Sequence, residues 1–99
     1  MDKAKVIEIV KRYKELVSSH LPVKNLYLFG SYSKGGFTEE SDIDVAVIVS
    51  PERDNWLEDA PLLWKLGMKV NLKIEPVLLY ESEDSPLYQE IMKTGILIN

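Results

Sequence analysis

Gly30-Ser31-Tyr32-Ser33-Lys34-Gly35-Gly36-Phe37-Thr38-Glu39-Glu40-Ser41-Asp42-Ile43-Asp44 is the stretch whose reading decides the fold. Its first twelve residues hold only two large apolar side chains, Tyr32 and Phe37, so the segment is a loop. One helical turn is expected inside it, capped by Ser31 and stopped at Gly35. The loop joins two strands: Asn25 to Phe29 before it, and the β-branched run Ile43 to Val49 after it. Strand alternation puts Asp42, Asp44, Ala46 and Ile48 on one side, and Ile43, Val45, Val47 and Val49 on the other. One side is fully apolar, whereas the other begins with two carboxylates. Alternate strand residues lie about 6.6–6.8 Å apart, so both carboxylates can converge on a hard cation that prefers oxygen ligands.

Glu75 adds a third acidic position, in the middle of the run Leu72 to Tyr80. It shares parity with Asn71, Lys73, Val77 and Leu79. A carboxylate in a strand is costly unless its charge is compensated, either by a cation held with Asp42 and Asp44 or by Lys73. Gly30-Ser31, between a strand end and a helical turn, supplies free backbone N–H groups and a hydroxyl for phosphate, and Lys34 can neutralise another phosphate oxygen. A carboxylate-held metal pair beside phosphate donors suits in-line displacement at phosphorus.

Working outward, residues 2 to 20 place Val6, Ile9, Val10, Tyr13, Leu16 and Val17 at helical spacing, with Pro22 beyond. Asp54 to Met68 reads as a helix that Pro61 kinks or divides. Leu72 to Tyr80 reads as a strand that Pro76 confines to a sheet edge or a bulge. Ser85-Pro86 caps and starts a last helix, which stops at Gly95, and Ile96 to Ile98 adds a short final strand. The order α-β-β-α-β-α-(β) predicts an α+β domain with helices covering one face of a small sheet, a single domain over residues 1–99.

Composition bounds what such a domain can do. The 99 residues are 45% hydrophobic, with two Trp, five Tyr and two Phe, enough for one core. A chain of this size buries roughly 60–65% of its unfolded surface, so its site is expected to be shallow or completed by a partner. A net charge of −4 without a Lys/Arg cluster argues against non-specific nucleic-acid binding. The absence of Cys excludes disulfides and thiolate metal sites. No signal peptide or membrane span is indicated, and a cytoplasmic location is expected. Gly36-Phe37 stands where a P-loop requires Lys and Ser or Thr, and no G-x-G-x-x-G occurs. His20 reads as a helix-end cap. Ser31 has no neighbouring His to make it a nucleophile. Trp56 and Trp64 read as core or partner surface.

Gly30-Ser31, ten residues, then Asp42-x-Asp44 resembles the signature of the polymerase-β-like nucleotidyltransferase superfamily, and the short length is similar to its minimal nucleotidyltransferase (MNT) group. The resemblance implies a mixed sheet flanked by helices and an NTP, here ATP, bound with Mg²⁺. It also implies Asp42 and Asp44 as metal ligands, with Glu75 as third ligand and base. Asp is the commoner residue at that third position, and Asn71 is a rival alignment for it. MNT proteins resemble antitoxins paired with helical HEPN toxins, transferring AMP to a tyrosine of the partner. A partner would complete a homo- or hetero-oligomer and bring the acceptor. The alternative reading is a catalytically weak or inactive antitoxin that neutralises by binding. A third is a small-molecule nucleotidyltransferase, for which an added acceptor-binding domain is usual.

Overall fold

The computed structural model describes residues 2–99; Met1, part of the expected domain, lies outside them. Helix α1 runs Lys3–Ser18, with the Asp2 carboxylate accepting from the Lys5 N–H at 2.8 Å. Strand β1 is Asn25–Phe29, α2 Ser31–Lys34, β2 Ile43–Val49, α3 Trp56–Val70, β3 Ile74–Tyr80, α4 Pro86–Thr94 and β4 Ile96–Leu97. The strands form one mixed sheet in the order β3-β2-β1-β4. Strand β1 is antiparallel to both β2 and β4, whereas β2 and β3 are parallel. A parallel neighbour requires a crossover connection, and α3 provides it.

The larger core lies under α1 and α3. Ile43, Val45, Val47 and Val49 of β2, with Leu26, Leu28, Ile74 and Leu78, pack there against Val10, Tyr13, Leu63 and Leu66. The Tyr13 hydroxyl donates to the Leu63 carbonyl at 2.8 Å, tying α1 to α3, and burial pushes its pKa well above the ordinary value. The opposite parity, Ala46, Ile48, Val77 and Leu79, forms a smaller cluster with Leu87, Tyr88 and Ile91 of α4. The two long helices thus cover one face as expected, whereas the short last helix packs on the other. Those four strand residues are apolar and would otherwise meet water.

Several expectations shift in detail. Pro61 does not divide α3, which is one helix with Pro61 inside. The hydrogen bond lost to proline leaves only the carbonyl of Leu57, an exposed residue, for water to satisfy. Strand β3 starts at Ile74, because Asn71 caps α3 and its Oδ1 accepts from the Lys73 N–H at 2.8 Å, making a turn of Leu72 and Lys73. Pro76 sits in regular register opposite Val45, on the sheet edge. The last helix begins as expected, with the Ser85 hydroxyl accepting from the Tyr88 N–H ahead of Pro86. His20 does cap, its Nδ1 lying 3.0 Å from the Leu16 carbonyl oxygen.

Candidate active site

The cap of α2 is Gly30, not Ser31. Gly30 has φ 73° and ψ −145°, a region that side-chain-bearing residues scarcely enter. Its Cα also lies against Asp44: a Cβ built there would fall 2.3 Å from Asp44 Oδ2. Glycine is therefore required twice, for the backbone angle and for the approach of a carboxylate. The Gly30 carbonyl accepts from the Ser33 and Lys34 N–H groups and from the Ser33 hydroxyl at 3.0 Å. The amides of Ser31 and Tyr32 precede this closed turn and have no helical carbonyl to donate to. Tyr32 anchors the loop from below, fully buried and stacked on Phe37 with ring centroids 4.7 Å apart.

The carboxylates come from the ends of two adjacent strands. Phe29, the residue before Gly30, pairs with Asp44, and Asp44 pairs with Glu75 across the parallel ladder. Asp42 lies just ahead of β2, exposed, while Asp44 and Glu75 are half-buried. Burial, then the charge of Asp42, raises the pKa of Asp44. Glu75 is raised by a hydrogen bond shared with Asp42, by burial, and by the charges of Asp42 and Asp44. The three groups thus form one electrostatic unit. Among the described residues, however, no three acidic or His side chains converge tightly enough to hold an ion between them. An all-oxygen set with unmet negative charge fits a hard divalent cation.

Two lysines are engaged elsewhere. Lys73 donates to the Glu39 carbonyl, so it does not compensate Glu75. Lys34 pairs with Glu90 of α4, both side chains about half exposed. That link spans 56 residues and had no sequence signal. Asn71 is the cap of α3, and its Oδ1 is engaged by the Lys73 N–H. Sequence reasoning also missed Asp59, which is 3% exposed and held by Arg53 through contacts of 2.6 and 3.1 Å. Six residues apart, the two shape the entry to α3 and take no part in the site.

A strained glycine loop is thus pressed against the acidic ends of two strands. The chain belongs to the polymerase beta nucleotidyltransferase family, whose model matches residues 5–99. It is 28% identical over 95 residues to "Putative protein adenylyltransferase MJ0141" of Methanocaldococcus jannaschii, covering 92% of this chain and 96% of that relative. A solved toxin–antitoxin structure with AMP-PNP matches at TM-score 0.66 and 28% identity, over 90% of this chain and 72% of that one. A structure of tri-AMPylated Shewanella oneidensis HEPN toxin in complex with MNT antitoxin matches at TM-score 0.65 and 25% identity, over 99% and 72%. The chain is thus a nucleotidyltransferase of the kind found in MNT antitoxins. Among the described residues no helix is long and apolar enough to cross a membrane.

Proposed function

We propose that this chain transfers AMP from ATP, with Mg²⁺, to a tyrosine hydroxyl of a HEPN-type toxin in the cytoplasm, and so acts as its antitoxin. The observation that carries the reading is the contact between Gly30 and Asp44, which sets a phosphate loop beside the acidic unit with no room for a Cβ. The names of the similar proteins, an adenylyltransferase and an AMPylated toxin with its MNT antitoxin, support the same reaction and partner.

Asp42, Asp44 and Glu75 would hold the cation, which supplies charge neutralisation at the reacting phosphate and at the departing pyrophosphate. The amides of Ser31 and Tyr32 and the Ser31 hydroxyl hold the non-reacting phosphate oxygens. The acceptor oxygen attacks the α-phosphorus, its bond to the bridging oxygen breaks, and pyrophosphate leaves. The acceptor proton passes to Glu75. Lys34 takes a phosphate oxygen by leaving Glu90. An exposed pair of that kind is worth at most about 1 kcal/mol, less than a charge-assisted contact to phosphate.

Glu75, standing where Asp is the commoner residue, favours a second reading, neutralisation by binding alone. Labelled ATP, Mg²⁺ and the toxin partner separate the two. Label is expected on the partner, lowered about 10³-fold or more in Asp42→Ala/Asp44→Ala, a loss of several kcal/mol of transition-state stabilisation. If the double variant protects cells from the toxin as well as the wild type does, binding alone is the function.

A further inference from the structure

Helix α3 buries Asp59, Leu63, Leu66 and Gly67, yet the side turned away from the core is also apolar. Leu57, Pro61, Trp64 and Met68 follow one another at i, i+4, i+7 and i+11. At about 100° per residue they fall within roughly 60° of one another, a single stripe along the helix. Leu57 is 83% exposed, Trp64 46% and Met68 60%, and Leu72, 82% exposed, lies just past the end of the helix. Contiguous exposed apolar patches of this kind mark interaction surfaces. We propose that this face is the interface of a two-fold homodimer, with α3 packed antiparallel on α3 of a second copy.

Charge commits the face to a second copy. One flank of the stripe carries Glu58 near the start of α3 and Lys65 and Lys69 towards its end, all exposed. A two-fold axis across the middle of the stripe, between Pro61 and Trp64, lays the same flank of each copy against the other with the direction reversed. Glu58 of each copy then meets Lys65 and Lys69 of the other. A parallel arrangement would leave the charged flank opposite the apolar one. Area is also sufficient: Leu57, Trp64, Met68 and Leu72, half to four-fifths exposed, present on the order of 500 Å² per copy at roughly 200 Å² each. A stable interface needs about 800 Å² per partner, and the stems of Glu58, Lys65 and Lys69 supply the remainder. Because α3 covers the face of the sheet opposite Asp44 and Glu75, such a dimer leaves both acidic sites open to an acceptor.

Sedimentation equilibrium of the full chain, from micromolar to submillimolar, tests the proposal. The wild type is expected to reach twice its 11.3 kDa mass. Trp64→Glu and the still more exposed Leu57→Glu are expected to weaken association at least about 30-fold, the cost of one or two unpaired charges at a dry contact, with unchanged circular dichroism. Glu58→Lys is expected to weaken it less, and Glu58→Lys/Lys65→Glu/Lys69→Glu to restore it. A wild type that stays monomeric throughout overturns the proposal, as does a dimer indifferent to Leu57→Glu and Trp64→Glu. A monomeric chain whose Trp64→Glu variant loses a different protein partner overturns it as well, and assigns the face to that partner.

Discussion

On one face of the sheet, Ile43, Val45, Val47 and Val49 are fully buried beneath α1 and α3. One step along the same strand, the other face begins with Asp44, beside Glu75 and Gly30, and only further on becomes apolar under α4. The two faces share every backbone hydrogen bond of β2. What separates them is the pleat, which lets one strand serve a close-packed core and a charged site without compromise in either. The apolar face stabilises. The acidic face costs stability, as the raised pKa values of Asp44 and Glu75 record, and so has to be held in place by the first.

The contrast breaks most severely at the core. Leu28→Ala, on the apolar face, is expected to cost about 2–5 kcal/mol and to lower Tm by at least about 8 °C in a domain of this size, read by calorimetry. Activity per folded molecule should hardly change. A Tm within about 2 °C of the wild type would show that the core relaxes around the loss, against expectation for close packing.

Gly30→Ala probes the seam between the faces. Its backbone strain should cost about 1–3 kcal/mol, and the new Cβ must displace the Asp44 carboxylate. Transfer activity is therefore expected to fall by more than the loss of folded protein explains. Activity that tracks the folded fraction alone would sever the loop from the acidic site.

The smallest effect belongs to the acidic face itself. Glu75 is raised above its ordinary 4.5, so the folded chain favours its protonated form. That contribution is complete below the ordinary carboxylate range and is lost as pH rises through the raised value, leaving a destabilising charge at neutral pH. Glu75→Gln is expected to raise Tm slightly at pH 7, with the gain fading as the pH falls through the raised value and gone below about 4.5. A variant less stable than the wild type at pH 7 without added metal would mean that Glu75 is structurally paired and not held under strain.

The site was legible in part because its signals are local. Gly30, Asp42 and Asp44 fall within fifteen residues, and strand parity alone put both Asp on one side. Glu75 was legible by parity too, but its register partner was not. Lys73 read as an alternative to a cation for neutralising it because both lie in one run, whereas the turn after Asn71 sends Lys73 to the Glu39 carbonyl instead. The pairing of Lys34 with Glu90 had no trace in the sequence, since ion pairs across 56 residues follow from how α2 and α4 dock.

By itself, then, the sequence determined the elements, their order and the chemistry placed at the loop, because hydrophobic period, caps and β-branched runs act over one or two turns of chain. Tertiary structure alone decided which strands are neighbours, that Asp44 faces Glu75, that α4 covers the second face, and that an apolar stripe of α3 is left outside. These depend on which surfaces remain to be buried once the first helices have docked, a property of the whole chain that no local window contains.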